Sequence, residues 1–148
     1  MDHLTYARLL REEDTDIPEL IKVYRTPEIA QYISISDNYF RYVTNSEDIY
    51  FYKIYAGNRL IGATHLEIQE TVLYMDLLIF PEFQKLGWGT KVVKDIQNDV
   101  FGLGFEKIEI AVDEKNTASL RLFENMGFVC ISKEEELLNL VYQSVNSL

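Results

Sequence analysis

One segment constrains the fold of this chain more than any other: Leu77-Leu78-Ile79-Phe80-Pro81-Glu82-Phe83-Gln84-Lys85-Leu86-Gly87-Trp88-Gly89-Thr90. An apolar run of the kind that forms a buried strand stops at a proline. Gln-x-x-Gly-x-Gly follows, and then a segment with helical periodicity. Glycines at such a junction let the backbone turn so that successive N–H groups converge, and the helix N-terminus adds a partial positive charge. The product is a backbone nest that holds a phosphate without a cationic side chain. Taken alone, Gly-x-Gly reads first as an ordinary strand-to-helix loop.

A second segment lies downstream: Asn116-Thr117-Ala118-Ser119-Leu120-Arg121-Leu122-Phe123-Glu124-Asn125-Met126-Gly127-Phe128. Together the two resemble the GNAT superfamily of N-acetyltransferases. The first is similar to that family's acetyl-CoA pyrophosphate loop, Gln/Arg-x-x-Gly-x-Gly/Ala. The second is similar to its Asn-x-x-Ala/Ser-x-x-Leu-Tyr-x-x-x-Gly-Phe segment. Their order and separation fit, and compatible strand and helix patterns run from about Leu4 to Tyr142.

The resemblance implies an α/β (α+β) fold with a GNAT-like mixed, mostly antiparallel central sheet of six to seven strands and helices on both faces, as a single domain over residues 1–148. It implies acetyl-CoA as co-substrate, with no metal. Gln84, Lys85, Leu86, Gly87, Trp88, Gly89 and Thr90 would hold the pyrophosphate. Leu77, Leu78 and Ile79 would pair with the pantetheine arm, a backbone N–H near Leu78 polarising the thioester carbonyl. Asn116 would bond the arm or simply cap its helix, and Phe123 would lie beside it. Trp88 is expected to be partly exposed next to the cofactor. Phe123 stands where the family commonly has a tyrosine that protonates the departing thiolate. A thiol of pKa about 8.5 is a tolerable leaving group near neutral pH without that acid. The departure also leaves open a catalytically weak acetyl-CoA sensor or an interaction module.

Periodicity organises the rest. Leu4–Leu10 alternates as a first strand. Asp14-Thr15-Asp16 supplies helix-capping types before Pro18, and Ile17, Leu20, Ile21 and Tyr24 recur at helical spacing. Thr26-Pro27-Glu28 starts a second helix through Tyr32, and Ser36-Asp37-Asn38 caps a third through Phe40 and Val43. Strands over 49–56, 59–69 and 71–80 follow, the first pair joined at Gly57-Asn58. The helix from Gly89 places Val92, Val93, Ile96 and Val100 on one stripe. A strand over 107–112, a helix stopped by Gly127 and strands over 128–132 and 137–143 complete the chain.

The net charge is 14 − 24 = −10. An acidic chain argues against nucleic acid and anionic membrane, which need clustered Lys and Arg, and suits an amine partner. Lys85, Lys91 and Lys94 would then help offset repulsion of the anionic cofactor. No apolar run is long enough to span a bilayer and no signal-peptide pattern opens the chain, so a cytoplasmic protein is expected. The single cysteine, Cys130, reads as a buried thiol in an apolar strand. The resemblance implies a small primary amine or a peptide-like amine as acceptor, with a homodimer left open.

Asp76 is the leading catalytic candidate. It interrupts an otherwise apolar strand, where burial raises a carboxyl's pKa toward what a general base needs. A carboxylate bonded to a loop or helix start is the equal alternative. Glu67, on the neighbouring strand, is the reserve base, and Glu70 reads as exposed. His65 shares a strand face with Glu67, as a proton relay or a structural hydrogen-bonder. Tyr24 and Tyr32, with Tyr39, Phe40 and Tyr42, supply rings that pack helices on the sheet or, as the GNAT resemblance implies for this part of the chain, form an acceptor wall.

Overall fold

The computed structural model of this protein describes residues 3–144. In chain order it forms β1 (Leu4–Arg8), α1 (Ile17–Tyr24), α2 (Pro27–Ala30), α3 (Tyr39–Thr44), β2 (Ile49–Ala56), β3 (Arg59–Gln69) and β4 (Val72–Ile79). A 3₁₀ turn (Pro81–Phe83), α4 (Trp88–Gln97), β5 (Lys107–Asp113), α5 (Thr117–Asn125), β6 (Val129–Glu134) and β7 (Leu137–Gln143) follow. The strands hydrogen-bond in the order β1-β2-β3-β4-β5-β7-β6. β1 pairs antiparallel with β2, and β7 antiparallel with both β5 and β6. β4 and β5 are parallel, as the crossover through α4 requires. The sheet is therefore mixed and mostly antiparallel, as the sequence implies.

The chain condenses as two compact units. One comprises the residues up to Leu66 with Leu77–Phe83, the other Glu67–Asp76 with the residues from Gln84 on. In the first unit the apolar stripes of the three short helices pack on strand residues. Ile17, Leu20, Tyr24, Ile29, Phe40 and Val43 join Phe51, Leu60, Ala63, Leu78 and Phe80 in one buried cluster. None of these helices exceeds eight residues. They are too short to persist alone, so this burial, rather than propensity, holds them. In the second unit α4 contributes Val92, Val93 and Ile96, and β5 contributes Ile108, Ile110 and Val112, all buried.

Several boundaries differ from the sequence reading for physical reasons. β1 stops at Arg8, and Leu10 is 66% exposed. The second helix ends at Ala30, one turn long, short of Tyr32. Val100 leaves the expected stripe and is 54% exposed. α4 ends at Gln97, and Asp99 takes a φ of 52°, which rotates later residues off the helical face. Cys130 is exposed rather than buried, because all six residues of the edge strand β6 are exposed.

The capping residues before α1 have a different task from the expected one. Asp16 makes no side-chain cap bond. Its carboxylate accepts instead from Lys53 Nζ at 2.9 Å and from the Tyr55 hydroxyl, both on β2. Lys53 also pairs with Asp14 at 2.8 Å. Burial opposes the Lys53 charge, but bonds to Asp14 and Asp16 outweigh it and hold the ammonium above its ordinary value. Burial likewise pushes Asp16 up, yet the bonds from Tyr55 and Lys53 win and its carboxyl sits below the ordinary range.

A carboxyl whose folded value is depressed contributes stability that is present above its unfolded value of 3.8 and is lost as pH falls through the folded value. Lys53→Met strands two carboxylates and should cost about 3 kcal/mol at pH 7, the low end for a broken buried pair because both acids are partly wet. Urea unfolding at pH 7 and at pH 3 checks this. The deficit should shrink at the lower pH, and equal deficits would exclude ion pairing as its cause.

Candidate functional site

β4 alternates, and the alternation sets which side chains reach solvent. Leu73 and Met75 are buried, at 1% and 4% exposure, while Tyr74 and Asp76 are exposed. Asp76 is therefore not enclosed in the core, as the apolar run alone suggests. Its side chain is open to solvent, yet enough protein surrounds the carboxyl to strip part of its hydration and push it up to about 6. The sequence feature and its electrostatic consequence stand, but the cause is crowding on an accessible strand face.

The other acids of this region flank Tyr74. Burial, then the negative charge of Glu109, Glu70 and Glu67, pushes the Tyr74 phenol above its ordinary value. Glu67, half-buried on β3, accepts from Gln69 Nε2 at 2.6 Å. Glu70 is exposed, with a φ of 56° at the tight connection between β3 and β4. Sequence reading did not single out Tyr74, whose bond to Glu109 joins residues far apart in the chain.

The Gln84–Thr90 loop has the geometry of a backbone nest. Lys85 and Gly87 take left-handed φ values of 63° and 91°. Gly87 is the N-cap of α4 and offers no side chain to it. Lys91 N bonds back to Gly87 O at 3.2 Å. The amides of Trp88, Gly89 and Thr90 precede that bond and belong to the first helical turn, where no intrahelical acceptor exists. They are available to an anion at the positive end of the helix. Lys91 is paired with Asp95 at 2.9 Å, and Lys94 is exposed one turn on.

Trp88 corrects an expectation. It is 8% exposed, a core residue rather than a partly exposed one. The spacing Trp88, Val92, Ile96 explains it, because these positions share one helical face and Trp88 heads the buried stripe. Asn116 caps α5, its side-chain oxygen accepting from Ser119 N at 3.3 Å. Phe123 is 2% exposed, edge-on to Phe128 with ring centroids 5.1 Å apart. Leu78 and Ile79 are buried and Leu77 is half-buried. The parallel register of β4 with β5 couples Val72–Tyr74 to Lys107–Glu109, and β4 continues beyond it through Leu77–Ile79.

In the first unit, Tyr24 is 5% exposed, and Tyr32 and His65 are half-buried. Tyr24 lies 6.2 Å from the Tyr39 ring, and the Tyr39 hydroxyl meets His65 Nδ1 at 2.6 Å. The nest, Asp76, Glu67, Asn116 and Phe123 thus belong to the second unit, and Tyr24, Tyr32, His65 and Leu77–Ile79 to the first. Among the described residues no group of three or more His, Cys, Asp or Glu is placed to hold a metal, and no helix is long and apolar enough to cross a membrane.

The model of the Acetyltransferase (GNAT) family matches residues 9–128. The chain belongs to the GNAT acetyltransferase family. Solved GNAT structures resemble it over nearly their whole length. Spermidine N-acetyltransferase from Vibrio cholerae, in complex with CoA and spermine, superposes with a TM-score of 0.80 at 18% identity, covering 95% of each chain. The Campylobacter jejuni N-acetyltransferase PseH, in complex with acetyl coenzyme A, gives 0.77 at 13% identity, covering 95% of this chain and 99% of that one. The ribosomal-protein-S18-alanine N-acetyltransferase of Escherichia coli gives 0.74 at 14%, covering 96% and 94%. At such identities the likeness carries the GNAT fold alone. No curated protein matches.

The raised Asp76 carboxyl sets a stability prediction for this GNAT chain. A carboxyl whose folded value exceeds its unfolded one binds its proton more tightly in the native state. The native state therefore loses stability as pH climbs from 3.8 through about 6. Asp76→Asn removes that loss, so its melting temperature should exceed the parent's at pH 8 and approach it at pH 4. A variant less stable at both pH values would show that ionised Asp76 is held by favourable bonds instead.

Proposed function

We propose that this GNAT chain, read as one domain over residues 1–148, is an acetyl-CoA-dependent N-acetyltransferase acting on a primary amine of a small molecule or peptide. The observation that carries the reading is the left-handed Gly87 turn into α4, whose first-turn amides suit a pyrophosphate. The neighbours bound to CoA or acetyl-CoA support the donor, and those named for spermidine and a ribosomal-protein alanine support an amine acceptor.

Acetyl-CoA supplies the activated acetyl group as a thioester. The nest over Gln84–Thr90 holds its pyrophosphate, and Asn116 and the backbone of Leu77–Ile79 orient the pantetheine arm. An N–H near Leu78 donates to the carbonyl oxygen on which negative charge grows. The acceptor nitrogen forms a bond to the acetyl carbon and the carbon–sulfur bond breaks, with no acyl-enzyme. Asp76 takes the proton released by the amine, directly or through water. A carboxyl raised to about 6 is a better base than an ordinary aspartate and remains largely ionised at neutral pH. The sulfur leaves as thiolate and takes its proton from water, because Phe123 has none to give and the Tyr74 phenol is pushed up by burial and then by its acidic neighbours. The Phe123 substitution favours a second reading, a sensor that binds acetyl-CoA with little turnover.

CoA-thiol release across polyamines, aminoglycosides, amino acids and short peptides separates these readings. Asp76→Asn should lower turnover about 10²–10⁴-fold with acetyl-CoA affinity nearly intact. Near-parent turnover would pass the role to Glu67. Gly89→Val, by keeping the backbone from close approach, should weaken acetyl-CoA in calorimetric titration by about tenfold or more, or about 1.4 kcal/mol. Unchanged affinity in a folded variant refutes the nest.

A further inference from the structure

The sheet of the second unit has one face covered and one face open. Leu73 and Met75 of β4, Ile108, Ile110 and Val112 of β5 and Leu140 of β7 are buried. Alternation puts the residues between them on the opposite face. The registers align those residues in rows. Tyr74 lies opposite Glu109, Glu109 opposite Val141, and Val141 opposite Val129. Further along, Asp113 lies opposite Leu137, and Leu137 opposite Glu134. Asp76, two residues on from Tyr74, shares the face.

This open face has two properties at once. It exposes large apolar side chains, Val129 at 64%, Leu137 at 44% and Tyr74 at 38%. A strand face that meets only water alternates to polar residues instead. It is also acidic. Among the described residues, Asp76, Glu109, Asp113 and Glu134 stand on it against one lysine, Lys107, whose ammonium lies 3.8 Å from Glu109. Glu67 and Glu70 add negative charge beside Tyr74.

These properties select the occupant. Strand addition at the free edge is obstructed, because β6 carries a bulge between Cys130 and Ser132 and the exposed Lys133 after it. An isologous contact with a second copy would set the same carboxylates against one another, on chains that each carry −10. Nucleic acid and anionic lipid are repelled for the same reason. A small cation satisfies the carboxylates but leaves Val129 and Leu137 in water. The row from Tyr74 to Val129 crosses three strand intervals, about 14 Å, the reach of about four extended residues. A peptide segment that alternates basic and apolar side chains meets both demands.

We propose that the open face of β4, β5, β7 and β6 docks a segment of polypeptide carrying both Lys or Arg and apolar side chains. Val129, Val141 and Leu137 receive the apolar groups, and Glu109, Asp113 and Glu134 the basic ones. Asp76 stands on the same face. On the acetyl-transfer reading, on which this last step rests, the docked chain is then the acceptor, and the acceptor class narrows from any primary amine to a basic polypeptide.

The probe is the hexapeptide Lys-Leu-Lys-Val-Lys-Leu with a free N-terminus, titrated calorimetrically into the whole chain. Glu-Leu-Glu-Val-Glu-Leu and Lys-Ser-Lys-Ser-Lys-Ser should each bind about tenfold more weakly or not at all. Val129→Ser and Glu134→Lys, both at exposed positions, should each weaken the probe about threefold to fivefold, and together about tenfold or more, with melting temperature and acetyl-CoA affinity unchanged. Val100→Ser, at an exposed valine outside these strands, should change nothing. Amide shifts on adding the probe should concentrate in 107–113, 129–134 and 137–143. No binding of the probe, equal binding of the reversed-charge peptide, parent-like affinity in the double variant or shifts confined elsewhere overturns the docking face. A parent dimer that Val129→Ser dissociates gives the face to a second copy and overturns it too. A docked probe that is not acetylated while polyamines release CoA thiol overturns the acceptor assignment alone. A parent that releases no thiol with any amine overturns the acetyl-transfer reading, and the titration still decides the docking face.

Discussion

The path of β4 is set by the absence of one side chain. A Cβ at Gly62 would overlap the Leu78 carbonyl oxygen and lie 3.1 Å from its carbon and 3.2 Å from Ile79 Cα. Only glycine lets β3 run this close to β4 at that point. The strand then registers with Phe80 N donating to Ile61 O at 2.8 Å. Leu78 and Phe80 are thereby committed to the core of the first unit, at 2% and 0% exposure. Gly62 thereby also sets where the chain reaches Pro81, at which the 3₁₀ turn begins. A larger residue at 62 would displace all of this at once.

Two aspartates of the same intrinsic acidity are driven in opposite directions. Asp16 and Asp76 both lose hydration. Asp16 gains a cation and a phenol as partners, so its charged form wins. For Asp76 desolvation is the dominant influence, and its proton is held to about 6. The first arrangement stabilises the fold by fixing the start of α1 to β2. The second costs stability at neutral pH, because the ionised form is the less favoured one in the folded chain.

Most of the architecture was legible because it follows from local patterns. The β2, β3 and β7 spans, the parallel crossover through α4 and the caps at Asn116 and Gly127 follow from alternation, glycine placement and side-chain capping. The errors have one source. A linear pattern does not reveal which face a tertiary neighbour covers. Cys130 looked buried because its strand is apolar, but the strand is an edge. Trp88 was assigned by its place in a loop motif, although its spacing to Val92 and Ile96 marks it as core. Asp14, Asp16 and Lys53 gave a capping signal and an unremarkable strand lysine, and their pairing spans 37 residues between Asp16 and Lys53. Gly62 sits unobtrusively inside a strand pattern, and only a backbone on its flank gives it meaning. Tyr39 and His65 lie 26 residues apart, so no local pattern links them into the bond that the fold makes.

Phe123 ties these themes together. At 2% exposure, edge-on to Phe128, its ring is part of the packing between α5 and the strand that follows. A hydroxyl added at so buried a position would need a hydrogen-bond partner or would cost about 1–3 kcal/mol. Phenylalanine fits that environment without one. On the acetyl-transfer reading its chemical consequence would fall on the sulfur. With no phenol at that position and the Tyr74 phenol pushed up by burial and then by neighbouring acids, the thiolate would leave unassisted or take a proton from water. A thiol of pKa about 8.5 tolerates this near neutral pH, where an alkoxide would not. The demand on the site then shifts to the amine. On that reading the nucleophile would be delivered uncharged, and Asp76, the described carboxylate raised to about 6, would be the proposed residue to accept its proton.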